Sequence, residues 1–247
     1  KKLWLAINER WMPMCGKGEE TCWVEQLNLK RDPDVRTSFR PEAPPEWLKD
    51  PHTWLTNFDI EDVMIQYEQL YKNFKFLGVY PVDFRSTEYT QQCLYKETCD
   101  INIPEYLSQG IEHIGMVVNL DRHREPGSHW VAIFICIQPK LSSYGVYYYD
   151  SYAGKPPKDV QDFMNDLQVQ GNQYAKTLKL RRTFKNEYNQ VRHQYGNSEC
   201  GMFSMVFLVR WLYLLSKRKR VSLKDIVGPK ITDKDVFQLR QLFFRTG

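Results

Sequence analysis

Apolar positions change spacing several times along this chain, and each change predicts an element. From Ile60 to Phe74 they fall at Ile60, Val63, Met64, Tyr67, Leu70 and Tyr71, the repeat of a helix with one buried face. Asp59 near its start suits the positive end of the helix dipole. Met116 to Leu120 predicts a short strand. Trp130 to Ile137 is almost continuously apolar, so both faces of that strand are buried and it belongs in the middle of a sheet. Val146 to Tyr149 predicts another strand. Pro156 and Pro157 precede a helix expected over Asp159 to Val169. Thr177 to Phe184 alternates as a strand would. Cys200 to Leu215 reads as a long apolar helix and Asp233 to Phe244 as a final amphipathic one. Strands among helices without regular β-α-β alternation predict an α+β fold, a central sheet flanked by helices.

The first part of the chain lacks this regularity. Residues 1–52 read as an N-terminal extension, partly helical near Leu3 to Trp11. It holds the helix-breaking stretch Arg40-Pro41-Glu42-Ala43-Pro44-Pro45. Residues 53–247 form the main domain. With 42% apolar and 26% charged residues in 247, the composition is globular, which excludes disorder, collagen and coiled coil for the whole. The longest apolar stretch, Met202 to Leu215, is short for a bilayer span and carries Arg210. Lys1 to Trp4 show no apolar leader. A net charge of +4 is too mild to argue for nucleic acid.

Six cysteines (Cys15, Cys22, Cys93, Cys99, Cys136 and Cys200) are too few for a disulfide scaffold, so unpaired thiols in a reducing compartment are expected. The pairs Cys15/Cys22 and Cys93/Cys99 are spaced too widely for zinc, with no histidine in register.

Four residues carry candidate chemistry. His129 opens one strand and Asp150 closes the next. If those strands pair antiparallel about Pro139 and Lys140, the two meet at the open end. A carboxylate there would orient the imidazole and stabilise its charged form. Cys200 precedes an apolar helix, whose dipole favours a thiolate, and Gly201 leaves room for a close backbone approach. Gln194 could add an amide donor for a developing oxyanion.

The order His129-Trp130, Asp150-Ser151, then Gln194 with Cys200-Gly201 resembles the SUMO-protease superfamily of cysteine proteases, which includes the adenovirus protease. Trp54-Leu55-Thr56-Asn57 resembles the motif that opens its catalytic domain, so the likeness covers residues 53–247. Within the superfamily the chain is similar to proteases of large DNA viruses, African swine fever virus among them. That likeness rests on Leu55 to Ile60, Arg192-His193-Gln194, Glu199-Cys200-Gly201, His129 to Phe134, and Ile231-Thr232-Asp233.

The resemblance implies a papain-like core with an N-terminal arm. It makes Cys200 the nucleophile, His129 the base and later the acid, Asp150 its orienting partner, and Gln194 part of the oxyanion hole. Trp54 and Trp130 would enclose a tunnel for glycine-like residues, which two flat indoles permit sterically. No metal or organic cofactor is implied. The implied substrates are structural polyproteins cut after Gly-Gly or Ala-Gly during virion maturation, at the host's cytoplasmic assembly site and in the virion core, with no membrane partner. The alternative is an isopeptidase acting on ubiquitin or SUMO. Against SUMO, Asn57 stands where the SUMO proteases carry an aspartate that pairs with the modifier. An acetyltransferase would need a coenzyme A site that no motif supplies, and a scaffold would not need all four residues.

Two remaining features add little. Lys217-Arg218-Lys219-Arg220 reads as a solvated cap on the preceding helix. Lys176, Lys179, Arg181, Arg182 and Lys185 line the expected 177–184 region without interleaved aromatics, so base stacking on nucleic acid is unsupported. His123, in an insertion spanning Asp121 to Ser128, has no evident partner.

Overall fold

The computed structural model describes residues 2–16, 20–28, 40–88 and 91–245; Lys1 and residues 17–19 and 29–39 of the expected extension lie outside them. Five strands form one mixed sheet in chain order: β1 (Phe74–Pro81), β2 (His113–Asn119), β3 (Trp130–Cys136), β4 (Gly145–Tyr149) and β5 (Lys185–Tyr188). β1 and β5 run parallel to their neighbours, whereas β2, β3 and β4 pair antiparallel. β3 is central, and its residues alternate between two cores. Ala132, Phe134 and Cys136 face one core and Val131, Ile133 and Ile135 the other, which explains the unbroken apolar run.

Helices cover both faces. In chain order they are α1 (Lys2–Cys15), α2 (Glu20–Gln26), α3 (Asn57–Leu70), α4 (Lys96–Cys99), α5 (Ile103–Ser108), α6 (Lys158–Thr177), α7 (Cys200–Lys217), α8 (Leu223–Val227) and α9 (Asp233–Phe243). α7 is apolar nearly all round because it fills the first core, where Trp211 stacks on Phe134 at 4.9 Å. α6 packs in the second core through Val160, Phe163, Met164 and Leu167. The Arg40–Thr53 segment lies against the end of the chain. Glu42 forms a bridge with Arg245, and Trp47 meets Phe244 edge-on at 5.0 Å.

Several boundaries differ from the sequence reading. α3 begins at Asn57, fixed by a capping box between Thr56 and Asp59, and stops at Leu70. Phe74, read as its last turn, instead opens β1, where Phe74 and Phe76 are buried on alternate positions. α6 continues past Val169 to Thr177 because Gly171 and Ala175 extend its buried stripe. The expected strand at 177–184 is therefore absent: Leu178 to Thr183 is an exposed loop, and the strand is β5. Lys179, Arg181 and Arg182 lie on that loop rather than on a sheet face.

The cysteines also differ from expectation. Cys15 pairs with Cys22 and Cys93 with Cys99, their Cα atoms 5.5 and 6.4 Å apart, within bridging range. Cys136 and Cys200 are the free thiols among the described residues.

Candidate active site

Three element ends converge at one edge of the sheet. Asn119 pairs with Trp130 and Ala132 with Tyr149, so antiparallel register carries His129, just before β3, beside Asp150, just after β4. His129 Nε2 lies 2.7 Å from Asp150 Oδ1. Cys200, at the first turn of α7, also acts on the ring and raises its pKa. With Nε2 committed to Asp150, Nδ1 is the nitrogen left for the thiol. Burial alone would lower the His129 pKa; the hydrogen bond to Asp150 and the influence of Cys200 overcome it and hold it at about 9. The imidazolium is thus the resting form at neutral pH. Cys136 is the opposite case: wholly buried, its thiol is pushed up to about 12 and is inert.

The Asp150 carboxylate is held from three sides. Besides His129, it accepts the backbone N–H of Tyr152 at 2.8 Å and of Gly154 at 3.1 Å. A side chain at position 154 would collide with Asp150 Oδ2, so the turn needs glycine there. Asn189 bonds both to the Asp150 N–H and to its carbonyl, at 2.8 and 2.7 Å.

Gln194 is fully buried rather than on a surface loop. Its Oε1 accepts the Ser151 hydroxyl at 2.6 Å, which fixes the orientation of the amide. Nε2 donates to the Gly196 carbonyl at 3.1 Å. The Ser151 carbonyl accepts the N–H groups of both His193 and Gln194. His193 is a neutral spacer: Nε2 donates to the Val227 carbonyl, Nδ1 accepts the Tyr149 hydroxyl, and burial lowers its pKa.

Trp54 and Trp130 line one cleft of about 430 Å³, together with Asn57, Tyr80, Asn119 and the 121–127 insertion. Trp130 Nε1 donates to the Leu55 carbonyl at 3.0 Å. Gly201 faces this wall, where an added Cβ would lie 3.2 Å from Trp130 and 3.3 Å from Leu55. His123 does have a partner, contrary to expectation. Its Nδ1 and backbone N–H both bond to the buried Asp83 carboxylate, at 2.7 and 2.9 Å, anchoring the insertion that leads into His129.

Sequence reasoning missed the supports of the site. Glu199, the residue before Cys200, is buried and paired in a fork with Arg240 of α9, at 2.9 and 3.1 Å. Arg240 also donates to the Thr53 carbonyl at 3.0 Å and lies 4.4 Å over the Trp47 ring. Tyr152 stacks on His129. Ser151 and Glu199 stand in the motifs that carry the resemblance, but nothing local gives Glu199 its pairing with Arg240, and no pattern marks Arg240 or Tyr152.

The chain matches the model of the Ulp1 protease family, C-terminal catalytic domain, over residues 64–245. A thiol protease of Acanthamoeba polyphaga mimivirus is 29% identical over 254 residues, covering 99% of this chain and 74% of the relative. African swine fever virus proteins named cysteine protease and SUMO-1 cysteine protease are 26% and 25% identical, covering 90% of this chain and 78% of theirs. A crystal structure of the African swine fever virus protease superposes with a TM-score of 0.72 at 21% identity, covering 100% of this chain and 91% of that one, which shows a shared fold.

Proposed function

The chain belongs to the Ulp1 protease family and is a cysteine protease, and from that premise we propose that it is an endopeptidase that matures viral structural polyproteins, cutting after Gly-Gly or Ala-Gly. The observation that carries the chemistry is the His129 ring shared between Asp150 and Cys200 beside a cleft flanked by two indoles. Cys200 Sγ, as thiolate, attacks the scissile carbonyl carbon. The oxyanion takes up the Cys200 backbone N–H and the Gln194 Nε2–H not spent on Gly196. His129 gives its proton to the departing amine, leaving a thioester on Cys200. It then draws a proton from water, whose oxygen attacks the thioester and restores the thiolate. Asp150 holds the ring and balances its charge throughout.

Specificity for glycine follows from Trp54 and Trp130, whose flat indoles line the cleft and admit an extended backbone more readily than a side chain. The 1–52 extension acts as an arm to the 53–247 catalytic domain, and the enzyme works at the cytoplasmic assembly site and in the virion core. A second reading, an isopeptidase for a folded modifier, is favoured by Phe58, which is 70% exposed on α3 next to the cleft and could serve as a docking contact.

Intact mass after exposure to two electrophilic probes separates the readings: a short Gly-Gly peptide, and full-length SUMO or ubiquitin with the same warhead. Labelling by the short peptide, absent in Cys200→Ser, is the expected result. Labelling only by the folded modifier would overturn the maturation reading in favour of the isopeptidase. Labelling by neither would refute both.

A further inference from the structure

The Tyr152 ring lies on the face of His129, centroids 4.7 Å apart and planes 26° from parallel. Its hydroxyl donates to the Gly196 carbonyl at 2.6 Å. That same carbonyl accepts Gln194 Nε2. One side chain therefore touches the imidazole and, at its far end, the loop that presents the buried amide. Its placement is enforced. Ala153, a residue with a Cβ, adopts φ of 63°, and the Tyr152 and Gly154 N–H groups grip Asp150. Maintaining left-handed backbone at an alanine costs about 1 kcal/mol or more, so the surrounding bonds hold this turn in place. The Arg192 guanidinium sits 5.2 Å from the Tyr152 ring centroid and 4.9 Å from that of Tyr195, and its Nε donates to the Gln194 carbonyl at 2.8 Å. Tyr152 thus touches both His129 and Arg192.

We propose that Tyr152 is a positioning residue for the reaction: its ring covers and stabilises the His129 imidazolium, and its hydroxyl ties that base to the Gly196 loop that aims Gln194. It rests on His129 acting as the base. The aromatic face is negative, so it favours the charged ring and keeps water from that side. The groups acting on His129 are Asp150 from the end of β4, Cys200 from α7 and Tyr152 itself. Arg192 and Asp233 act on the Tyr152 ring itself. Arg192 carries the charge that opposes the imidazolium. The hydroxyl acts on the other partner: without it, the Gly196 carbonyl loses one of its two donors and the Gln194 amide loses a fixed reference.

Two substitutions of matched shape test the two ends separately in the full chain. Tyr152→Phe removes the hydroxyl and keeps the ring. Replacing Tyr152 with pentafluorophenylalanine also reverses the charge of the ring face. The readouts are Cys200 alkylation by iodoacetamide against pH, the His129 titration by NMR, and turnover of a Gly-Gly peptide. Tyr152→Phe is expected to leave the His129 titration in place and to lower turnover about 3–10-fold, the worth of one hydrogen bond. The fluorinated ring is expected to move the His129 titration, and the basic limb of alkylation, down by about half a pH unit or more. Coinciding His129 titrations in the two variants, or parent-like turnover in Tyr152→Phe, would overturn the proposal. His129→Gln is the control on its premise: if alkylation of Cys200 keeps the parent's pH profile in that variant, His129 is not the base and the wider reading fails first.

Discussion

Removing Arg240 should unfold the enzyme's active-site corner before it touches any reacting atom. The Arg240 and Glu199 side chains are 4% and 3% exposed, and they meet in a two-pronged fork. Arg240→Leu keeps much of the volume under Trp47 but strands the Glu199 carboxylate. His52 Nδ1, 3.4 Å away on a side chain that is 58% exposed, and the Ser198 hydroxyl at 3.2 Å are weak substitutes. Breaking one partner of a buried pair costs about 3–5 kcal/mol, because the remaining charge keeps its desolvation penalty. At about 2–4 °C per kcal/mol for a domain of this size, the midpoint of thermal unfolding should fall by about 6–20 °C. Replacing both residues by leucine removes the stranded charge and should return the double variant to within about 1–2 kcal/mol of the parent. Arg240→Lys keeps the charge but not the fork, and should fall between. Urea unfolding of the four proteins, with peptide turnover measured alongside, decides the matter. A single variant within about 1 kcal/mol of the parent, or a double variant less stable than the single, would refute the reasoning.

Three further outcomes follow from the same geometry. The basic limb of kcat/KM should lie near pH 9, where His129 loses its proton. Because its folded pKa is raised, its contribution to stability is full below about pH 6.5 and is lost as pH rises through about 9, which urea unfolding across that window would register. Gly201→Ala places a Cβ 3.2 Å from Trp130 and 3.3 Å from Leu55, and should cost about 1–3 kcal/mol by overpacking. By displacing the Trp130 indole it should also raise KM for Gly-Gly peptides, and an unchanged KM would argue against Trp130 contacting substrate. Asp83→Asn weakens the anchor of the 121–128 insertion on His123 and should make that loop cleavable by trypsin at Arg122 or Arg124 under native conditions; resistance equal to the parent would show that other contacts hold it.

What the sequence disclosed and what it hid divide along a physical line. Trp130 to Ile137 was legible as a central strand because burial on both faces leaves no polar alternation. The meeting of His129 with Asp150 was legible because antiparallel pairing about a known turn fixes which residues face each other. Errors fell where two periods overlap. The apolar residues from Ile60 through Phe76 serve a helix and then a strand, and only the capping box at one end and the loss of helical hydrogen bonding near Tyr71 separate them. The 177–184 stretch alternates by accident: α6 still needs Ala175 for its buried face, and the next residues leave the core. Both cysteine pairs stand out in the sequence, but the bridges do not, because a bridge depends on Cα separations that the fold creates and that residue spacing does not reveal.

The supports of the site were illegible for a different reason. Arg240 reaches Glu199 across 41 positions, and Tyr152 reaches Gly196 across 44. Neither pair has a local signature, since an arginine in an amphipathic helix and a tyrosine in a turn are ordinary choices. Only the fold converts them into contacts. The division of labour is then clear from position. The groups proposed to react sit at the ends of β3, β4 and α7, where the packed cores fix the backbone. Their orientation is set by residues borrowed from elsewhere, Ser151 on Gln194, Tyr152 on His129, and Arg240 behind Glu199. A substitution in the first group should abolish the chemistry while the fold survives. A substitution in the second should shift a titration, a midpoint or a turnover number by a measurable fraction, and that graded response is what distinguishes a supporting contact from a reacting one.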